Sequence, residues 1–154
     1  MSEECVEKSL VPGSGWGMLG VFVASLLFVP IVFTIGVIDL FPPIVALAAF
    51  ADGVSSIIGA KRLTYKESNR AKTLQEEFGK AGVRIVVRDD EMKVYPGYIR
   101  SAIINSHNDH RIAMAAAILG LAGDKITIRG AECVAKSFPD YFERLIALGA
   151  NIHS

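Results

Sequence analysis

The chain has 154 residues, which is long enough for one domain with a hydrophobic core. Its 16 lysines and arginines are balanced by 16 aspartates and glutamates, so no overall charge favours nucleic acid, and any anion has to be bound locally. The two cysteines, Cys5 and Cys133, match no metal or redox spacing and are typical of unpaired thiols in a reducing cytoplasm.

The first 36 residues form an apolar leader. Residues 16–38 carry no charge and are long enough to cross a bilayer, which takes about 20 residues. Acidic residues precede this run, which argues against a cleaved signal peptide, and Pro30 and several glycines weaken a straight helix. Two interpretations stay open for residues 16–38: a membrane segment, or apolar sequence that is buried or foreign to the rest of the chain.

After residue 38 the sequence breaks into short helical and extended units. Apolar periodicity and helix-ending glycines predict helices over residues 40–51, 68–81, 109–122 and 138–148. β-Branched runs predict strands over residues 54–58, 83–87, 92–95, 99–104 and 125–129. The second and third of these strands form a hairpin about residues 88–91. The alternation predicts an α/β, or layered α+β, domain with helices packed against short sheets.

Cations stand at or near the predicted starts of three helices. Lys66 and Arg70 lie four residues apart, Arg111 follows Asp109, and Lys136 comes just before the last helix. A positive charge at a helix N-terminus is unfavourable by roughly 0.3–1 kcal/mol, whereas the free N–H groups there favour an anion. The pattern indicates a shared anion; solvated charged faces, and a structural cap at Asp109, are the alternatives.

Asp39 is a lone carboxylate between the apolar run and the following Leu-Phe-Pro-Pro. Desolvation at such a position favours the protonated form and would suit a general base. The simpler alternative is that Asp39 caps the helix that follows it.

Several segments together resemble one enzyme family. The order and spacing of residues 39–42, 46–53, 59–63, 66–70, 108–114 and 136–143 are similar to the C-terminal part of EPSP synthase (3-phosphoshikimate 1-carboxyvinyltransferase). The resemblance implies that residues 37–154 are a partial domain built of βαβαββ units with short mixed sheets. It also implies transfer of the enolpyruvyl group from phosphoenolpyruvate to the 5-hydroxyl of shikimate 3-phosphate, with release of phosphate and no metal or other cofactor.

The resemblance assigns roles residue by residue. It implies that Asp39 takes the proton of the reacting hydroxyl and that Glu67 shuttles a proton at the phosphoenolpyruvate methylene. It implies that Lys66 contacts shikimate 3-phosphate near that hydroxyl. The cations that match the family's phosphoenolpyruvate ligands are Arg70, Arg111 and Lys136.

Departures from the family pattern qualify these expectations. Asn69 stands where the family usually has aspartate, and Thr64 where arginine is common. Nothing in residues 1–36 resembles the lysine-serine-arginine set or the glycine-rich loop of the family's N-terminal domain. We therefore expect one wall of a two-sided site, with little turnover by this chain alone. Three hypotheses stay open: half of a split enzyme with a complementary N-terminal chain, a non-catalytic fragment, and a membrane-tethered module.

Overall fold

The computed structural model describes residues 7–11, 32–34, 38–65 and 69–153. The strands in these residues are β1 (Glu7–Val11), β2 (Val32–Thr34), β3 (Ser55–Ile58), β4 (Arg84–Arg88), β5 (Glu91–Tyr95), β6 (Ala102–Asn105), β7 (Ile126–Arg129) and β8 (Asn151–His153). The α-helices are α1 (Phe41–Ala48), α2 (Arg70–Lys80), α3 (His110–Ala122) and α4 (Tyr141–Ala147). Short 3-10 helices cover Ile38–Leu40, Ala60–Tyr65 and Ala131–Lys136.

The first sheet has the strand order β2-β3-β5-β4. Strand β2 runs parallel to β3, and β5 lies antiparallel between β3 and β4. In chain order this is strand, helix, strand, helix, strand, strand, because α1 and α2 connect β2 to β3 and β3 to β4. The α/β class and the mixed sheet are therefore confirmed, as is the hairpin about residues 88–91.

The second sheet has the strand order β6-β7-β1-β8. Strand β6 runs parallel to β7, as β2 does to β3. Strand β1 lies antiparallel between β7 and β8, in the position that β5 takes in the first sheet. Strands β1 and β2 both precede residue 37, where the predicted partial domain begins. Each of them nevertheless pairs with strands that follow residue 37. Most of residues 16–38 lies outside the described residues. In the part that is described, no helix is long and apolar enough to cross a membrane.

The core lies where helices α1, α2 and α3 pack against the two sheets. Helix α3 is buried on most sides, as its apolar sequence predicts, and its alanines allow close packing against α1. The largest fully buried side chains come from all of these elements: Phe41, Phe78, Ile57, Leu63, Leu74, Met92, Ile104, Ile112, Leu119, Ile126 and Ile128. This core fixes the starts of α1, α2 and α3 relative to one another.

Several element boundaries differ from the prediction. Helix α4 begins at Tyr141 instead of residue 138, and Asp140, its N-cap residue, makes no side-chain capping bond. Its carboxylate instead accepts a hydrogen bond from Arg144 Nε at 2.7 Å. Helix α2 begins at Arg70, because the Asn69 side chain accepts a hydrogen bond from the Lys72 amide at 3.1 Å and caps the helix.

Candidate anion-binding site

Three of the sequence-predicted residues meet at the start of helices α2 and α3. Arg111 Nε lies 3.1 Å from Asp39 Oδ1, and Arg70 Nη1 lies 3.6 Å from the same oxygen. The core holds the helices that carry them, so residues 39, 70 and 111 converge although they are far apart in the chain. Asp39 thus bridges two guanidinium groups.

Asp109 fixes the orientation of Arg70. Its Oδ2 accepts a hydrogen bond from Arg70 Nε at 2.5 Å, and both side chains are buried. Its Oδ1 accepts from the Arg111 amide at 3.0 Å and caps α3, which confirms the predicted structural cap. A single carboxylate therefore joins the two helix starts. Position 69, next to Arg70, is an asparagine, so the carboxylate that orients Arg70 comes from a different segment.

The Arg70 guanidinium is incompletely satisfied. The residue is 2% exposed, yet its Nη1 has no hydrogen-bond partner in the described part of the chain, because 3.6 Å to Asp39 is too long for a hydrogen bond. A buried charged donor without a partner is unfavourable by about 1–3 kcal/mol or more. An anion that approached Nη1 would remove that penalty.

Lys136 is not at a helix start, contrary to the prediction. It is the last residue of the 3-10 helix Ala131–Lys136, and residues 137–140 separate it from α4. At a helix C-terminus a cation is favourable, so no electrostatic anomaly remains there. Lys136 Nζ donates to Asn108 Oδ1 at 2.7 Å, and this contact brings it to the start of α3 from another direction.

The loop before α3 has an unusual backbone. His107 and Asn108 have φ values of 51° and 60°, a left-handed conformation that is uncommon outside glycine. Ser106 stabilises it: its hydroxyl donates to the Gly130 carbonyl at 3.0 Å and accepts from the Asn108 amide at 3.2 Å. This loop presents the Asn108 side chain to Lys136 and leads directly into Asp109.

Two titratable groups near the site are held neutral. Burial lowers the pKa of His110, and the positive charge of Arg111 lowers it further. The carboxylates of Asp109 and Asp39 act in the opposite direction without reversing the effect. Burial likewise raises the pKa of the Cys133 thiol, so this cysteine behaves as a small buried group, as predicted.

The environment of Asp39 differs from the expected one. Its side chain is 51% exposed, so the desolvation predicted from the flanking apolar sequence is not present. Nor does it cap α1, because Leu40 is the N-cap residue and no side chain makes a capping bond there. What distinguishes Asp39 is its position between Arg70 and Arg111.

Two predicted site residues, Lys66 and Glu67, lie outside the described residues. Conversely, the prediction assigned no role in the site to Asn108 or Asp109. Asp109 contacts a side chain 39 positions earlier in the chain, and Asn108 one 28 positions later, so no local periodicity could have revealed these contacts. The only signal was their place just before Arg111.

Chemically, the site is a cationic surface half open to solvent. Arg70, Arg111 and Lys136 outnumber the carboxylates Asp39 and Asp109, and guanidinium groups suit bidentate contact with phosphate or carboxylate. In the described residues, no group of three or more His, Cys, Asp or Glu side chains is placed to hold a metal ion. The arrangement therefore supports binding of a small multiply charged anion.

Comparisons with known proteins identify similar sequences. The family model for EPSP synthase (3-phosphoshikimate 1-carboxyvinyltransferase) matches residues 34–145. A 3-phosphoshikimate 1-carboxyvinyltransferase from Sulfurisphaera tokodaii is 41% identical over 114 residues, which are 74% of this chain and 28% of that protein. One from Halobacterium salinarum is 41% identical over 116 residues, covering 73% of this chain and 27% of its own length.

Solved structures agree with the sequence matches. EPSP synthase from Acinetobacter baumannii superposes with a TM-score of 0.68 at 31% identity, over 76% of this chain and 28% of that one. The enolpyruvyl transferase NikO from Streptomyces tendae gives a TM-score of 0.60 at 25% identity, over 80% of this chain and 29% of that one. The chain thus spans a little more than a quarter of the length of these relatives.

Proposed function

The chain belongs to the EPSP synthase (3-phosphoshikimate 1-carboxyvinyltransferase) family, and we propose that it carries one wall of a site for enolpyruvyl transfer. The substrates would be phosphoenolpyruvate and shikimate 3-phosphate, both multiply anionic. The observation that carries the proposal is the buried Arg70 Nη1, which lacks a hydrogen-bond partner in the described residues. Asp39 lies between Arg70 and Arg111, and Lys136 contacts Asn108, the residue just before Asp109.

In the proposed reaction the hydroxyl oxygen of shikimate 3-phosphate adds to C2 of phosphoenolpyruvate while the methylene carbon gains a proton. Loss of phosphate from C2 and of a proton from the same methyl group then restores the double bond. Asp39 would take the proton of the hydroxyl; its half-exposed carboxylate is accessible to a substrate, which supports this role. Glu67 would shuttle a proton at the methylene carbon, and Lys66 would contact shikimate 3-phosphate near the hydroxyl, as the family resemblance implies.

The cations would act mainly by electrostatic preorganisation. The tetrahedral intermediate retains the phosphate and carboxylate charges, so fixed guanidinium groups stabilise it without reorganising. Asp109 supports this, because it locks Arg70 through Nε and leaves Nη1 without a hydrogen-bond partner in the described residues. Arg111 and Lys136 are more exposed and would provide the outer contacts.

The proposal is limited to one wall of the cleft, since the chain corresponds to a little more than a quarter of its relatives. The family's remaining residues would complete the site, as part of the same or a complementary chain. We expect the present chain to bind both substrates weakly and to turn over little. A non-catalytic role would instead predict no selective binding at all.

The test is a titration of the full chain with shikimate 3-phosphate, with and without phosphoenolpyruvate. Lys66→Ala should weaken binding of shikimate 3-phosphate by about tenfold, the loss of roughly one charge-assisted contact. Lys72→Ala is the matched control, because Lys72 lies on α2 in an exposed pair with Glu76. Equal effects of the two variants would contradict the assigned role of Lys66. Phosphate release that needs both substrates would contradict the expected inactivity.

A further inference from the structure

Helix α2 carries a second buried charged residue that the proposed reaction does not use. Glu77 is 4% exposed and is surrounded by donors. Its Oε2 accepts hydrogen bonds from Lys80 Nζ at 2.6 Å and from the Asn105 amide at 2.8 Å. Its Oε1 lies 2.9 Å from His107 Nε2. A carboxylate with this many donors is rigidly placed.

Glu77 is held in its anionic form. Burial is the largest single influence and would raise the pKa of Glu77. The hydrogen bonds from Lys80, Asn105 and His107 together outweigh it, so the pKa lies below its ordinary value. The carboxylate therefore remains charged and bonded near neutral pH.

Two of the three partners of Glu77, Asn105 and His107, lie at the start of the loop that builds the anion site. Asn105 ends β6, and its side chain accepts a hydrogen bond from the His107 amide at 2.8 Å. His107 begins the left-handed pair whose second member, Asn108, receives Lys136 Nζ. Holding the Asn105 amide and the His107 ring thus fixes the backbone that aims Asn108.

The same helix holds the loop at both of its ends. Arg70 lies seven residues before Glu77, about two helical turns, and therefore on the same face of α2. Arg70 binds Asp109 at the far end of the loop, whereas Glu77 binds Asn105 and His107 at its near end. The loop between is short, and two of its residues have the left-handed backbone, so attachment at both ends favours this one shape.

We propose that Glu77 is a positioning residue for the anion site, one that holds the strained loop so that Asn108 and Asp109 place Lys136 and Arg70. The inference rests on the proposed function for its ligand, but not for its geometry. Glu77 touches no substrate in this scheme; it acts through residues 105–109. The competing role is purely structural, in which Glu77 only satisfies the buried Asn105 amide.

The experiment compares Glu77→Gln with Glu76→Gln in the isotopically labelled full chain. The first variant keeps an acceptor for the Asn105 amide but loses the charge that binds His107 and Lys80. The second is a matched control, because Glu76 is the neighbouring, exposed residue on α2. NMR without ligand follows the Asn108 side-chain amide and backbone hydrogen exchange of the loop. Titration with phosphoenolpyruvate then gives the dissociation constant.

For Glu77→Gln we expect shifted Asn108 side-chain signals, loop exchange about tenfold faster, and phosphoenolpyruvate binding about tenfold weaker. Glu76→Gln should stay within about twofold of the parent chain in each. A purely structural role would leave the Asn108 signals and the affinity unchanged once the variant is folded. An affinity within about twofold of the parent overturns the inference, whether or not the loop signals move.

Failure of the proposed function is separable from failure of this inference. If the parent chain does not bind phosphoenolpyruvate, the proposed function fails, and the ligand-free Asn108 signals and loop exchange decide the positioning role. If Glu77→Gln does not fold, His107→Asn replaces it, because asparagine tolerates a left-handed backbone but cannot reach Glu77 in the same way. Unchanged Asn108 signals in His107→Asn would then overturn the inference.

Discussion

Replacing Asp109 by asparagine tests the buried pair on which the site depends. Arg70 Nε and Asp109 Oδ2 are 2.5 Å apart, and their side chains are 3% and 4% exposed. Asparagine caps helices about as well as aspartate, so Asp109→Asn should preserve the start of α3. The change therefore isolates the loss of one carboxylate charge beside a buried guanidinium.

Breaking a buried ion pair by removing one partner destabilises a protein by about 3–5 kcal/mol, because the remaining charge is left uncompensated. Asp39 still lies 3.6 Å from Arg70 Nη1, so we expect the lower end, about 3 kcal/mol. With a urea m-value of about 2 kcal/mol/M, the unfolding midpoint of Asp109→Asn should fall by about 1.5 M.

The matched control is Asp140→Asn. Its partner, Arg144 Nε, is 2.7 Å away, but the two side chains are 44% and 66% exposed. Exposed pairs of this kind contribute little to stability, so urea unfolding of this variant should be nearly unchanged. If Asp109→Asn loses less than about 1 kcal/mol, the buried pair does not hold the two helix starts together, and the positioning of Arg70 needs another explanation.

Three further predictions concern packing and pH. A Cβ at Gly123 would clash with the Ile99 side chain, so Gly123→Ala should lower the free energy of unfolding by about 1–3 kcal/mol. A Cβ at Gly79 in α2 would meet no atom within 4 Å, so Gly79→Ala should raise it by about 0.5–1 kcal/mol. Thermal unfolding measures both changes. Burial raises the pKa of Tyr141 from 10.0 to about 12, so the unfolded state releases its proton first. This difference stabilises the folded state by about 3 kcal/mol below pH 10, and the stabilisation is lost as the pH approaches 12. Tyr141→Phe should abolish this part of the pH dependence in alkaline urea titrations. The lowered pKa of Glu77 works in the opposite direction. The stabilisation by its carboxylate is present above the ordinary pKa of 4.5 and is lost as the pH falls through the lowered pKa, so Glu77→Gln should flatten the acid side of the curve of stability against pH. An unchanged slope would contradict the hydrogen bonds assigned to this carboxylate.

Local chemistry in the sequence was sufficient for the four α-helices and for strands β3 to β7, but not for β1, β2, β8 or the 3-10 helices. Gly82 and Gly149 end predicted helices and have φ values of 91° and 99°, which L side chains rarely adopt. Gly123 also follows a helix, but its φ is −109°, and close approach to Ile99 is what requires glycine there. The same sequence signal thus had two different physical causes, and only the structure separates them.

The site residues were predictable where a positive charge lies at the N-terminus of a helix. Arg70 and Arg111 were identified because a cation at a helix start is unfavourable, and both do lie in the first turns of α2 and α3. Lys136 was identified by the same reasoning and ends a 3-10 helix instead. The orienting contacts from Asn108 and Asp109 depend on tertiary packing, which leaves no local signal in the sequence.

The insertion of β1 between β7 and β8 has a consequence for how the chain folds. Lys8 pairs with Ile128, and its ammonium lies 4.4 Å from the Phe142 ring centre, so these contacts join residues that are far apart in the chain. Such closures are entropically unfavourable and slow, whereas the β4–β5 hairpin closes over a few residues. The first sheet should therefore gain protection from hydrogen exchange early in refolding. The second should be completed last, when β1 inserts between β7 and β8.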